Sequence, residues 1–154
     1  MKFNKILVPV GGTKADEGAI DLACSLAKSR FKRTILAVHI IPVERSLPLG
    51  AEVGPATVAA ENIMDDIAKR IDKHGCAAEI DILQAREVGP AIVQVAQEQR
   101  VDLILIGITY KKQFGEFCLG DVVPYVLKNA PCRVILDHQL GSEDSISGTG
   151  AAET

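Results

Sequence analysis

Residues 107–123, GITYKKQFGEFCLGDVV, lead from an apolar run into the start of a helix. A glycine-bearing loop in that position suits phosphate chemistry. Glycines let an anion approach the backbone, and the first N–H groups of the helix point at it. Gly107 and Gly120 bound the loop, and Lys111 and Lys112 add positive charge. Tyr110 and Asp121 work in the opposite direction. The Tyr110 ring would fill the phosphate path. An aspartate at a helix start offers its own carboxylate to the free N–H groups, a cap worth about 0.5–2 kcal/mol, and so competes with any phosphate. Asp121 is therefore expected to cap the helix; the alternative is that it holds Mg²⁺ beside a phosphate. A second glycine pair, Gly11-Gly12, precedes Thr13 just after the apolar run KILVPV.

Other reactive side chains read as structural. His39 lies in the apolar run LAVHII without a Cys, Asp or Glu at metal-ligand spacing, which predicts a hydrogen-bonded residue near a strand end. His74, before Gly75, is expected as a cation in a helix's last turn. His138 adjoins Asp137 at the end of the last strand, facing a partner or solvent. Thr13, with Glu17 beyond it, is expected to cap the first helix. Cys24, Cys76, Cys118 and Cys132 show no CxxC pair and read as reduced thiols. Cys118 is expected to pack with Phe114 and Phe117, although Lys111 and Lys112 nearby would suit a redox-sensitive thiolate. Asp102 sits just inside a strand, at the end remote from the glycines. No catalytic residue and no metal ligand set is assigned.

Five β-branched runs must position these residues: 5–10, 34–41, 78–83, 101–106 and 132–136. Helical stretches alternate with them at about 15–30, 55–74, 88–99 and 121–129. Ala19, Leu22, Ala23, Leu26 and Ala27 form a stripe on the first helix, and Val58, Ile63, Ile67 and Ile71 on the second. The first, second and fourth runs are continuously apolar and belong in the middle of a sheet. In the third, Glu79, Asp81 and Gln84 interrupt the apolar pattern, which predicts an edge. Strand–helix–strand repetition with right-handed crossovers gives one doubly wound α/β domain, a parallel sheet with helices on both faces. There is no internal repeat. Residues 42–54, PVERSLPLGAEVG, form a long connection expected to be mobile and lid-like. The domain is expected over 1–140, with a disordered polar tail at 141–154.

In an open parallel sheet, ligands bind beyond the carboxyl ends of the strands where strand order reverses. If the first and fourth strands are neighbours, the crevice is lined by Pro9, Val10, Gly11, Gly12, Ile40, Ile106, Gly107, Tyr110, Gly120, Asp121, Val122 and Val123. Composition narrows the partners. The net charge is −3, without a basic block, which disfavours nucleic acid. Apolar residues make up 47%, but aromatics only 4% with no Trp, so the core must be aliphatic. No apolar span is long enough to cross a membrane, and MKFNKILVPV lacks the features of a signal peptide. The cytoplasm is the expected compartment.

KILVPV with its small-residue turn and helix, and above all LGDVVPYVLKNAPCRVIL within GITYKKQFGEFCLGDVVPYVLKNAPCRVIL, resemble the universal stress protein family over residues 3–137. The resemblance implies strand order 3-2-1-4-5 and a homodimer through the last strand, Cys132, Arg133, Val134, Ile135 and Leu136. It also implies a division into ATP binders and non-binders. Binders share a loop of glycine, two residues, glycine, nine residues, glycine and Ser or Thr. Here those positions are Gly107, Tyr110, Gly120 and Asp121, so the length is kept while two positions depart. The binders' acidic residue after the first strand, which contacts the nucleoside, falls on Gly11. The joint departures imply a non-catalytic stress-response or regulatory protein without tight ATP binding. The alternatives are a switch binding ATP, AMP or a cyclic nucleotide with at most slow ATP hydrolysis, and a regulatory partner of a membrane transporter.

Overall fold

A computed structural model describes residues 1–29, 32, 34–51, 54–109, 111–113, 116–118 and 120–138, the two short stretches 111–113 and 116–118 as backbone. The expected tail at 141–154 and Tyr110 lie outside these residues, as do the Phe114, Phe117 and Cys118 side chains.

The chain runs β1 (Ile6–Pro9), α1 (Ala15–Leu26), β2 (Ile35–Pro42), α2 (Gly54–Lys73), β3 (Ala78–Ala85), α3 (Val88–Gln99), β4 (Leu103–Ile108), β5 (Lys111–Gln113), β6 (Glu116–Cys118), α4 (Val122–Asn129) and β7 (Arg133–His138). Five strands form a sheet of order β3-β2-β1-β4-β7, all pairs parallel. Counting only these strands, the order is the expected 3-2-1-4-5. The polar-interrupted β3 is indeed at an edge, with every residue at least partly exposed.

Alternating side chains along the continuous apolar strands feed two cores. On one face Ile6, Val8, Ile35, Leu103 and Leu105 pack beneath α1 and α2. On the other Leu7, Leu36, Val38, Ile104 and Ile106 meet α3 and α4. Ile6, Leu7, Ile20, Ile35, Ile92, Leu103, Ile104 and Leu105 are each under 2% exposed, and burial of such a side chain contributes about 1.5–3 kcal/mol. On α2 the buried stripe is Ala60, Met64, Ile67 and Ile71, whereas Val58 is 57% exposed. The true i, i+4, i+7, i+11 face thus runs one position round from the expected residue.

Three local features go beyond the sequence expectations. The connection after β2 is tied down. The Arg86 guanidinium donates to the Glu44 and Leu47 carbonyls at 2.6 and 2.7 Å, and the Gln84 amide donates to the Ala51 carbonyl at 2.6 Å. Those bonds hold three of the connection's carbonyls against the end of β3 and the residue after it. The 107–120 loop is not irregular throughout: Lys111, Lys112 and Gln113 pair antiparallel with Cys118, Phe117 and Glu116. His74, one position past the end of α2, is paired. Its Nε2 lies 2.7 Å from Asp21 Oδ1, beside a bidentate Arg70–Asp21 pair at 2.8 and 2.7 Å that joins α2 to α1.

Asp102 plays the expected structural part at the strand-start end. Its two carboxylate oxygens accept the Asn4 and Lys5 N–H groups, both at 2.8 Å, and its own N–H donates to the Lys5 carbonyl at 3.0 Å. Cys24 and Cys76 are buried thiols outside any disulfide. Cys132 is half-buried, and burial pushes its thiol pKa up, away from a reactive thiolate.

Candidate functional site

At the carboxyl end of the sheet β1 lies between β2 and β4, so the β1–α1 turn faces the place where strand order reverses. The turn is built around Asp16. This residue is 5% exposed, and its carboxylate accepts three successive backbone N–H groups: Gly11 at 3.1 Å, Gly12 at 2.7 Å and Thr13 at 3.1 Å. Gly12 has φ +86°, a conformation that favours glycine; a Cβ there would stand 2.7 Å from Ile63 Cδ1, a side-chain tip that can shift. Thr13 does not cap α1 with its side chain. Lys14 holds the cap position in a helical conformation, with no side-chain cap bond, and the Thr13 carbonyl accepts the Asp16 N–H at 3.1 Å. Asp16 has taken over the turn from inside the helix.

Burial pushes the Asp16 carboxyl pKa above its usual range. The N–H groups of Gly11, Gly12 and Thr13 pull against that shift, and so does the positive potential of His39. The expected role of His39 holds: its Nδ1 lies 2.7 Å from the Val10 carbonyl. A carbonyl only accepts, so Nδ1 carries the proton.

Across the crevice, Gly107 is inside β4 rather than at the opening of a loop, since the strand runs on to Ile108. It pairs with Asp137 of β7. A Cβ on Gly107 would lie 2.2 Å from the Ala15 carbonyl oxygen and 3.2 Å from Ala19 Cβ. The glycine is explained by the backbone of α1 resting on β4, without reference to phosphate. Gly120, φ +75°, meets nothing at its Cβ position and makes the left-handed turn into α4.

Asp121 departs from expectation. It stands at the cap position of α4 with φ −90° and ψ −25°, exposed, and makes no side-chain cap bond. A capping side chain reaches back to the N2 or N3 amide from an extended backbone, and Asp121 has a helical one. The carboxylate at this end is a free surface charge. The built-in anion expected at Asp121 is found at Asp16.

The remaining lining residues divide by exposure. Val10, Ile40, Ile106 and Val123 are buried in the two cores, Pro9, Gly107 and Val122 are half-buried, and Gly11 and Gly12 are exposed. Tyr110 lies outside the described residues. Asp16, 5% exposed, was missed by sequence reasoning. Its placement five residues after Gly11 and inside a helix gives no cap signature, and only burial distinguishes it from Glu17 beside it.

A parallel five-stranded sheet whose strand order reverses at β1 defines a doubly wound α/β domain. The chain belongs to the universal stress protein family, whose profile matches residues 2–138. Universal stress protein MJ0531 of Methanocaldococcus jannaschii is 26% identical over 141 residues, spanning 87% of this chain and 81% of that one. The fold is shared with the universal stress protein from Archaeoglobus fulgidus in complex with dAMP, at TM-score 0.69, 24% identity and 88% and 98% coverage of the two chains. It is shared too with an Arabidopsis thaliana family member with AMP bound, at TM-score 0.64, 14% identity and 92% and 98% coverage.

Among the described residues, no helix is long and apolar enough to cross a membrane, and no group of three or more His, Cys, Asp or Glu could hold a metal ion.

Proposed function

We propose that this protein is a non-catalytic cytoplasmic stress-response regulator that acts as a homodimer and does not hold ATP tightly. The observation that carries this reading is the exposed Asp121 carboxylate at the start of α4. A triphosphate arriving there meets like charge at the helix end that would otherwise attract it. Gly11, with no side chain, offers nothing to a nucleoside on the opposite wall. Equilibrium dialysis with ATP and Mg²⁺ tests the reading. No stoichiometric binding is expected in the low-micromolar range, and finding it would refute the reading. Dimerisation is supported by β7, which pairs only with β4 among the described residues and leaves Val134, Ile135 and Leu136 half-exposed at the sheet edge. Sedimentation should give twice the chain mass; a monomer at tens of micromolar protein would remove that part.

A second reading is a switch that binds AMP or a cyclic nucleotide, with at most slow ATP hydrolysis. It is favoured by the relatives of like fold in complex with dAMP and with AMP bound. Fewer phosphate charges would face Asp121. Protein purified from cells should then release nucleotide on denaturation, and a clean supernatant would weigh against it.

A further inference from the structure

We propose that Asp16 sets the ligand specificity of the β1–α1 turn: its carboxylate fills an oxyanion nest, so the turn refuses phosphate. This rests on the reading of a crevice without tight ATP binding, and names the residue that enforces it at the β1 end. Three consecutive N–H groups converging on one carboxylate at 2.7–3.1 Å is the donor arrangement that surrounds a bound oxyanion. The left-handed Gly12 is what turns successive amides to the same side. The nest has an open flank, because nothing lies within 4 Å of where a Gly11 Cβ would be.

A cavity of about 210 Å³ adjoins the turn, bordered by Gly12, Thr13, Asp16, Glu17, Ile63 and Asp66. Lys14 is the one cation on its wall, against the carboxylates of Asp16, Glu17 and Asp66. With Asp16 in place the amides have no capacity left and the local charge is negative, which disfavours an anion twice over. Gly11, Gly12 and Thr13 are open to solvent, so once the carboxylate is removed water and oxyanions compete for the three N–H groups, and their convergence on one point favours an oxyanion.

The experiment uses the ¹⁵N-labelled full chain titrated with inorganic phosphate while the Gly11, Gly12 and Thr13 amide resonances are followed. In the wild type these three should not move with phosphate. In Asp16→Ser they should shift together and saturably at millimolar phosphate. A turn in which Asp16 is only a structural staple predicts lower stability in the variant and no phosphate response. A folded Asp16→Ser whose three amides stay still overturns the proposal, as does a wild-type protein whose amides already saturate. Should Asp16→Ser fail to fold, Asp16→Ala also empties the nest of its acceptor. The same saturable shift is expected there, and its absence in a folded Asp16→Ala overturns the proposal equally. Tight ATP binding by a wild type whose turn amides ignore phosphate would sink the proposed function while leaving the assignment of Asp16 intact.

Discussion

Replacing Gly107 by alanine separates a structural glycine from a ligand-binding one. The added Cβ would sit 2.2 Å from the Ala15 carbonyl oxygen and 2.7 Å from its carbon. Carbon and carbonyl oxygen touch at about 3.3 Å, so the helix and strand must part by about 1 Å. The obstacle is backbone, which cannot rotate out of the way as a side-chain tip can. Parting would loosen Ala19, Ile20 and Ala23, all fully buried where α1 faces the sheet. Overpacking of a core usually costs about 1–3 kcal/mol, and a clash with main chain belongs at the upper end. With a urea dependence of about 2 kcal/mol per molar, the unfolding midpoint of Gly107→Ala should fall by about 1–1.5 M. Gly11→Ala is the matched control. Its Cβ meets nothing within 4 Å and its φ lies outside the left-handed region. It should be neutral or stabilised by up to about 1 kcal/mol through a less flexible unfolded chain. A Gly107→Ala midpoint within about 0.3 M of wild type would refute the argument, because it would show that α1 does not rest on this residue. Equal losses in the two variants would refute it as well.

Asp102→Ala removes the acceptor of two amide bonds at 2.8 Å, and a loss of about 1.5–3 kcal/mol is expected in chemical denaturation, as for bonds to a charged group. Arg86→Ala frees the Glu44 and Leu47 carbonyls; hydrogen exchange should quicken across residues 42–51 with the global midpoint nearly unchanged, and unaltered exchange would contradict the tie-down. The Arg70 hydrogen bonds hold the Asp21 carboxyl below its ordinary value of 3.8. A depressed carboxyl stabilises the fold above its unfolded value and loses that contribution as pH falls through the folded one, so wild-type stability should decline below about pH 4. In Asp21→Asn this part of the decline should vanish. The effect should be modest and reduced by salt, because the pair is more than a third exposed. Asp121→Ser removes the free charge at α4 and should tighten ATP binding by about tenfold, the equivalent of roughly 1.4 kcal/mol; an unchanged affinity in dialysis would argue against electrostatic exclusion.

The sequence by itself determined the architecture. Continuous apolar strands, small-residue and aliphatic helical stripes and a polar-interrupted third strand admit few arrangements, because each apolar face must be buried and crossovers have one hand. It also singled out Gly11, Gly107, Gly120 and Asp121 as candidate site residues, from residue types and spacing. What it could not determine was the job of each residue there. Whether a carboxylate caps a helix depends on the cap residue's φ and ψ, which are helical at Asp121. Whether a glycine serves a ligand or a neighbour depends on what stands where its Cβ would be; for Gly107 that is Ala15, ninety-two positions earlier in the chain. Asp16 has the composition of a solvated helix surface, and only the packing of α1 against the sheet buries it and aims it at the turn. Polar and conformational roles are set by backbone angles and by what packs around a residue once the chain is folded, whereas apolar patterns repeat locally along the sequence.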